Sequence, residues 1–482
     1  MPDLLVGSKS GQPVTTPAHH DVLDDASLLR RVFAIALSAG GQWVELFRER
    51  RFDGAATVGD QQRSLSRSST QGVSLRVMGH GGRSCQVHTP LDDPRSLRDL
   101  AQQARAAFAV VAQTTVRPLV ERVASGTSLT PCLDPLADYV DIARLVQRAD
   151  DALTAARAHG AQSVQVRATT WARELTIRSS DGLRLALPEQ GTRIAVDAFV
   201  DRSGKRSKGR ASWSAAGSTE QLPFEDATAI GMKAATQAIR LTRASVPATA
   251  DLAVVLSPPA AGLLVHELMG HACEADAVES GASLIAGRMG QQVTDSAVWL
   301  CDGHPGGQVW GAATHDDEGT PNRAHPMITA GRFVGALTDR RYAGRSAHPT
   351  SGNGRRQSYA HRVLPRVSHT EMAVGDTAQA EMVAGIPHGL LALSMEGGAI
   401  NSRTGVLNLA VKEALMIRSG QPAERVRGAT LTGDALDILT HIQAVGDDPV
   451  LTPMLCGKQG QWIPVSATSP SVLVERMRAV GG

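Results

Sequence analysis

Residues 266–271, with the sequence His-Glu-Leu-Met-Gly-His, place two imidazoles around a carboxylate. In metalloenzymes, imidazoles bind the catalytic metal ion and a nearby carboxylate can act as the base. In the common zinc-peptidase pattern, the histidines lie four residues apart on one face of an α-helix and the glutamate is the general base. Here the separation is five residues, which turns the second ring by about 140° around a regular helix axis. The alternative is a buried helix whose histidines are only hydrogen-bonded.

A local distortion of the helix would reconcile this spacing with metal binding. A π-helical turn brings residues five apart nearly into line, and such turns concentrate at functional sites. Gly270, directly before the second histidine, tolerates an unusual backbone conformation. If both histidines bind one metal ion, we therefore expect the helix to widen between Glu267 and His271.

A catalytic zinc ion usually takes three protein ligands and leaves one position for water or substrate, so the two histidines need a partner. The candidates are acidic or sulfur-bearing: Glu274, Asp276, Glu279, the strip 315–318 and the cysteines. Cys456 stands out among the cysteines because glycines follow it and Lys458 would favour a thiolate. Its alternative role is that of a small buried hydrophobic residue. The residues alone leave these candidates open.

The composition limits the class of protein. Lys and Arg (49) nearly balance Asp and Glu (47), so no global field indicates nucleic acid or a membrane surface. The basic stretch 202–210 is interpreted as a solvated hairpin tip. Five scattered cysteines without CxxC spacing argue against a disulfide scaffold. With neither a signal-peptide pattern nor an apolar run of membrane-spanning length, we expect a cytoplasmic protein that binds neither nucleic acid nor membrane.

The hydrophobic pattern predicts an α+β fold. At about 100–200 residues for each domain, the length of 482 residues suggests two or three domains. Residues 1–20 lack periodicity and are expected to form a flexible tail. Between residues 21 and 247, a helix followed by antiparallel strands and a further helix occurs twice, which predicts an N-terminal domain of two helix-meander halves. Asp53-Gly54 is one of the predicted turns between these strands.

Residues 248–482 predict a strand-rich catalytic domain with one key helix. Residues 253–256 form a short apolar strand, and Pro258-Pro259 follow where a helix can begin, since proline is tolerated in a first turn. That helix carries residues 266–271 and is the expected zinc-binding helix. Most of the remaining sequence is rich in glycine and in short β-like segments.

Several segments in series resemble the TldD/PmbA family of metallopeptidases. The matching blocks are HExxxHxxExD at 266–276, Gly-Gln-Gln-Val at 290–293, Asp-Asp-Glu-Gly-Thr-Pro at 316–321, the block 351–361, Pro365-Arg366, and CGKxGQ at 456–461. They span most of the chain together with the repeated N-terminal plan. The chain resembles the metal-bearing TldD side of the family, because PmbA-type (TldE) partners lack the HExxxH motif.

The resemblance implies a site, a reaction and a partner. It implies that His266, His271 and Cys456 bind Zn²⁺ and that Glu267 is the catalytic base. The implied reaction is the zinc-dependent hydrolysis of amide bonds in short or unfolded peptides. The implied assembly is a dimer, either a homodimer or a heterodimer with a metal-free TldE/PmbA-like homologue.

Two other functions remain open. The sequence departs from the family around Cys273, Cys301 and His388, and such changes would permit a dedicated amide hydrolase that acts on a small peptide-like natural product or its precursor in a biosynthetic pathway. The other is a non-catalytic dimerising partner that binds peptides. The complete set of His266, Glu267, His271 and Cys456 argues against this last function.

Overall fold

The computed structural model describes residues 21–60, 62–113, 141–202, 204–217, 224–306, 309–346, 349–401 and 404–481. The expected flexible tail at residues 1–20 and the cysteine at position 132 lie outside these ranges. The described chain is a mixed α+β protein in which strands predominate, as the sequence predicts. Within these ranges, no helix is long and apolar enough to cross a membrane.

The N-terminal part of the described chain is one antiparallel sheet of six strands with four helices. In chain order the elements are a 3-10 turn (Val22–Asp24), α1 (Ala26–Leu37), β1 (Trp43–Gly59), β2 (Arg63–Met78), a 3-10 turn (His80–Gly82), β3 (Ser84–Thr89), α2 (Pro94–Gln113), α3 (Ile142–Ala158), β4 (Ser163–Ser179), β5 (Arg184–Arg202), β6 (Lys205–Ala216) and α4 (Phe224–Leu241). The spatial order is β3-β2-β1-β4-β5-β6, and the two halves join where β1 pairs with β4. Each half therefore has the predicted order of helix, strands and helix.

The four helices cover one face of this sheet. In α1, the Asp25 side chain accepts hydrogen bonds from the first free backbone N–H groups, and the helix buries an apolar stripe against β1 and β2. In the second half, α3 and α4 approach each other closely at Gly231. A Cβ atom there would lie 2.1 Å from the carbonyl oxygen of Ala152, so only glycine permits this helix contact.

Two local turn predictions have opposite outcomes. The predicted turn at Asp53-Gly54 is wrong, because Gly54 lies inside β1 and pairs with Arg67 on β2 and with Thr170 on β4. A strand paired on both sides has its backbone groups satisfied, so tertiary pairing outweighs the local turn preference. The hairpin tip within the basic stretch 202–210 is confirmed, since Arg202 at the end of β5 pairs with Lys205 at the start of β6.

The C-terminal part contains two larger sheets and short helices. The elements are β7 (Ala250–Leu256), α5 (Pro258–Val265), α6 (Ala275–Ser280), β8 (Leu300–Asp302), β9 (His325–Thr329), β10 (Arg332–Phe333), α7 (Arg340–Ser346), β11 (Gly354–Arg355), β12 (Leu364–Pro365), β13 (His369–Met372), α8 (Gln379–Ala384), β14 (His388–Ile400), β15 (Val406–Arg418), β16 (Gln421–Val426), β17 (Ala429–Asp434), α9 (Ala435–Thr440), β18 (Ile442–Val445), β19 (Val450–Lys458), β20 (Gln461–Ser469) and β21 (Val472–Gly481). One sheet has the order β14-β7-β21-β17-β15-β16, and its β14–β15 pairing closes a ring of strands. The other has the order β10-β9-β8-β13-β20-β19.

Helix α5 lies between these two sheets. It begins with the two prolines, as predicted, and its residues Ala260, Ala261 and Leu264 are buried. The helix packs against β14 of the closed sheet and against β20 of the other sheet. The C-terminal end of α5, which leads into residues 266–271, is therefore held inside the hydrophobic core.

Candidate metal centre

Helix α5 continues into a π-helical turn at His266–Gly270. The backbone N–H of His271 donates to the carbonyl oxygen of His266 over 3.2 Å, so this hydrogen bond spans five residues instead of four. The imidazole rings of His266 and His271 consequently face the same region, with centroids 4.8 Å apart. The predicted widening of the helix is confirmed.

Cys456 approaches the histidines from a distant hairpin. Strands β19 and β20 are joined by Gln459 and Gly460, whose φ angles of 50° and 79° are both positive, as in a type I′ turn. In this register Cys456 lies opposite Ile463, and its Sγ is 3.2 Å from Nε2 of His271. The ligand atoms of His266, His271 and Cys456 all lie within 4.8 Å of one another.

Electrostatics favour a charged pair inside this cluster. Burial alone would raise the pKa of the Cys456 thiol, but hydrogen bonds with His266 and His271 outweigh burial and lower the pKa to about 5. Burial also disfavours a charged His271, but the neighbouring Glu274 carboxylate and Cys456 raise the pKa of His271 well above its usual value. Both shifts favour a thiolate at Cys456 beside an imidazolium at His271 when no metal ion is bound.

Glu274 is a buried carboxylate that orients His271. Its Oε2 is 2.9 Å from Nδ1 of His271 and accepts a hydrogen bond of 2.8 Å from Nζ of Lys458. Its Oε1 accepts from the backbone N–H of Val367 over 3.2 Å. Burial would raise the pKa of Glu274, but Lys458 and His271 hold it far below its usual range. A carboxylate behind a histidine in this way fixes the ring and the tautomer that faces a metal ion.

The structure separates the other acidic candidates from the ligand atoms. Asp276 accepts a hydrogen bond from Lys458 over 2.6 Å, and Glu279 pairs with Arg345 over 3.2 Å. In the strip 315–318, Glu318 pairs with Arg76 of the N-terminal sheet.

The sequence identified Glu274 only as a possible ligand and missed its orienting role, although its position three residues after His271 was the available signal. Among the described residues, the group of side chains that could hold a metal ion is His266, His271 and Cys456.

Glu267 lies on the π-helical turn between the two histidines. It faces β14 at Gly398, where a Cβ atom would lie 3.1 Å from Cγ of Glu267 and 2.6 Å from Cδ2 of Leu409. The absence of a side chain at position 398 thus leaves room for the glutamate. Burial raises the pKa of Glu267, which moves it towards the range of a group that both takes and returns a proton near neutral pH.

The donor set fits a zinc ion. Two imidazoles and one thiolate are ligands that zinc prefers, with bonds of about 2.0 to 2.3 Å. Nδ1 of His266 is buried and has no hydrogen-bond partner in the described part of the chain. Buried polar atoms are normally paired, so the ring of His266 has hydrogen-bonding capacity that the described chain leaves unused.

The three departures from the family pattern occupy different surroundings. Cys273 is fully buried in the C-terminal core, two residues after His271. Cys301 is half-buried in β8, opposite Glu371 of β13. His388 is exposed at the start of β14, where its Nδ1 lies 2.6 Å from Nη1 of Arg418. Of the three, Cys273 is the one that adjoins the metal cluster in the chain.

Known proteins resemble this chain in sequence and in fold. Sequence models of the PmbA/TldA metallopeptidase match residues 135–242 (central domain) and 249–481 (C-terminal domain). The chain is 28% identical over 424 residues to a metalloprotease TldD homolog of Haemophilus influenzae, which covers 86% of this chain and 87% of the relative. It is 29% identical over 246 residues to a zinc metalloprotease TldD homolog of Saccharolobus solfataricus, covering 51% and 54% of the two chains.

A solved structure supports the same relationship at the level of the fold. The crystal structure of TldE from Thermococcus kodakarensis superimposes with a TM-score of 0.71 at 15% sequence identity, covering 94% of this chain and 100% of that chain. The matched domains and the named relatives together confirm the resemblance seen in the sequence motifs. The chain belongs to the TldD/PmbA family of metallopeptidases.

Proposed function

We propose that this protein is a zinc-dependent peptidase or amidase that hydrolyses amide bonds in short or unfolded peptides. The observation that supports this function is the convergence of His266, His271 and Cys456, with Glu267 on the same π-helical turn. The three ligands would leave one position for water or substrate, as in catalytic zinc sites. The names of the relatives as metalloproteases agree with this proposal.

The residues of the site have distinct roles in this reaction. His266, His271 and Cys456 would hold a zinc ion that would lower the pKa of a bound water molecule and polarise the scissile carbonyl group. Glu267 takes the proton of the attacking water and passes it to the leaving nitrogen. The Cys456 thiolate contributes one negative charge to the ligand set, and Glu274 keeps the His271 ring in the orientation that ligation needs.

The direct test is hydrolysis of a panel of short peptides by the zinc-loaded protein, with Glu267→Gln as the inactive comparison. Cleavage of several unrelated peptides would support a general peptidase. Cleavage confined to one peptide-like amide would instead indicate a dedicated biosynthetic hydrolase. Tightly bound zinc without cleavage of any peptide would contradict the enzymatic function and favour a non-catalytic partner.

The edge strand β19 offers a backbone on which an extended peptide could bind. Within the described sheet β19 pairs with β20 on one side, and its other side forms the edge of the sheet. Cys456 lies on this strand, so a peptide paired with the edge would run beside the metal cluster. Recognition through main-chain hydrogen bonds gives little sequence preference, which suits flexible peptides as substrates.

We also propose that the protein works as a dimer, with itself or with a metal-free TldE-like homologue. The likeness of its fold to TldE supports a shared architecture for the two partners. Light scattering of the purified protein, followed by mass spectrometry of the chains that co-purify from the native host, distinguishes the two assemblies. A monomer in both preparations would contradict the proposal.

Replacing Glu274 with Gln should weaken zinc binding by about 10- to 100-fold, because an amide orients His271 less firmly than a carboxylate. Lys458→Met should act in the same direction, since it removes the cation that holds Glu274 charged. Competition with a chromophoric chelator measures the affinity. Lys233→Met, on an exposed position of α4, is the control and should leave the affinity unchanged. Equal affinity in Glu274→Gln would show that the carboxylate does not orient the ligand.

Zinc binding should release about one proton at neutral pH, because His271 must lose its proton before it can bind the metal. Cys456 contributes little to this release, since its pKa of about 5 already makes it a thiolate. At pH values below the raised pKa of His271, the affinity of the protein for zinc should therefore fall by about tenfold for each unit by which the pH decreases. Calorimetric titration in buffers of different ionisation enthalpy counts the protons. An affinity independent of pH across this range would contradict the thiolate–imidazolium pair.

A further inference from the structure

A cavity of about 840 Å³ lies between the N-terminal sheet and the loops of the C-terminal part. Its floor is the sheet face opposite α3 and α4, where the side chains of Arg51, Trp171 and Arg193 line it. Trp310 and Trp462 line its C-terminal side. None of the four residues assigned to zinc or to the catalytic base lines this cavity. It is a separate space of the size that small-molecule and peptide sites have, about 300–1,000 Å³.

The cavity and the metal cluster lie on opposite faces of one strand. Leu455 lines the cavity and is 47% exposed, whereas Cys456 is 4% exposed and faces the histidines. Consecutive side chains of a strand point to opposite faces, so one residue of β19 separates the two surfaces. An extended chain that pairs with β19 would likewise direct alternate side chains to the metal cluster and to the cavity.

Most of the charged side chains on the cavity floor have partners of opposite charge. Arg51 pairs with Asp53 over 2.7 Å. Arg173 pairs with Glu189 over 2.7 Å and with Asp317 over 3.3 Å. Both arginines also lie over the ring of Trp171, at 5.0 Å and 5.9 Å from its centroid. These groups are already satisfied within the protein and give the cavity little net charge.

Arg193 is the exception. Its Nη1 is buried and has no hydrogen-bond partner within the described ranges, and no carboxylate of those ranges forms an ion pair with it. A buried cation is costly unless it is paired, and the fork of a guanidinium matches a carboxylate in two parallel hydrogen bonds. The partly exposed side chain of Arg193 therefore lines the cavity beside Trp171 without an ion-pair partner among the described residues.

We propose that this cavity binds a carboxylate-bearing segment of the peptide substrate, with Arg193 as the residue that pairs with the carboxylate. The indole rings of Trp171 and the exposed Trp462 contact the apolar part of the same segment. The carboxylate belongs to an acidic side chain or to the free C-terminus of a short peptide. The assignment of the ligand as substrate rests on the proposed peptidase function, whereas the binding of the carboxylate does not.

The test measures binding to the zinc-loaded Glu267→Gln protein, in which peptides stay intact. Four versions of one fluorescently labelled hexapeptide are compared, with an internal aspartate or alanine and with a free or an amidated C-terminus. The version without any carboxylate should bind about tenfold or more weakly than the best carboxylate-bearing version, as expected for the loss of a hydrogen-bonded charge pair. The version that restores tight binding identifies the source of the carboxylate.

Arg193→Met, introduced into the same protein, should remove this preference, while Arg193→Lys should retain part of it. The matched control is Arg167→Met, which removes an exposed arginine of β4 that does not line the cavity. Equal binding of all four peptides, no binding of any, or a preference that survives Arg193→Met would each overturn the proposal. The four-peptide comparison decides the matter even if the Arg193 variants do not fold. Failure of the unmodified protein to cleave peptides would overturn the peptidase function alone.

Discussion

Glu267→Gln should keep its zinc and lose peptide hydrolysis, with kcat lower by about 10²- to 10⁴-fold. The amide has the size of the carboxylate and fits the same space beside Gly398, but it cannot take a proton from water. The ligands His266, His271 and Cys456 are unchanged, so the metal content should stay at one ion per chain. Atomic emission spectroscopy measures the zinc, and the same peptide substrate gives kcat for both proteins.

A matched substitution separates this effect from a general loss of charge. Glu424 is an exposed glutamate on β16 that pairs with Arg418 over 2.6 Å, and Glu424→Gln should leave both zinc content and hydrolysis unchanged. Full activity in Glu267→Gln would show that another group is the base. Loss of zinc in Glu267→Gln would show that this carboxylate holds the metal, contrary to the role proposed for it.

Cys456→Ala should lower the affinity for zinc by about 100-fold or more and abolish hydrolysis. Structural zinc sites in proteins bind the ion with an apparent free energy of about 10–16 kcal/mol, which a few ligands share, so the loss of one ligand removes a large part of it. Two neutral imidazoles remain, and the negative charge that favours the cation is lost. Zinc should therefore raise the Tm of the unmodified protein much more than that of the variant, since a ligand stabilises only the state that binds it.

Cys301→Ala is the corresponding control. Cys301 is a free, half-buried cysteine in the same six-stranded sheet, and it is not part of the metal cluster. We expect its removal to leave zinc affinity and the zinc-dependent rise in Tm unchanged. If Cys456→Ala bound one zinc ion as tightly as the unmodified protein, the sulfur would not be a ligand, and the orienting carboxylate Glu274 would be the first alternative to test.

The features that the sequence predicts correctly are determined by neighbouring residues. The prolines at 258 and 259 mark the start of α5, and the five-residue spacing of His266 and His271 predicts the widened turn because a helix has few ways to align such residues. The doubled order of helix, strands and helix follows from periodicity alone. The exception is Asp53-Gly54, where pairing with strands on both sides overrides the local preference.

The features that the sequence does not predict depend on contacts between distant segments. The third candidate ligand lies 185 residues beyond His271, and sequence spacing gave no reason to choose Cys456 over nearby acids. The role of Glu274 depends on Lys458 of the distant hairpin. The cavity arises where the N-terminal sheet meets the C-terminal loops, and the unpaired Arg193 becomes visible only when both are in place.

The two-residue turn at Gln459-Gly460 has a consequence for how this protein can evolve. Surface turns usually tolerate insertions, but this one sets which face of β19 each side chain occupies. One added residue that shifted the pairing of β19 with β20 would turn Cys456 away from the histidines and bring Leu455 towards them. The turn itself contributes no metal ligand. Its length is nevertheless restricted, because it keeps Cys456 on the face of β19 that meets the histidines.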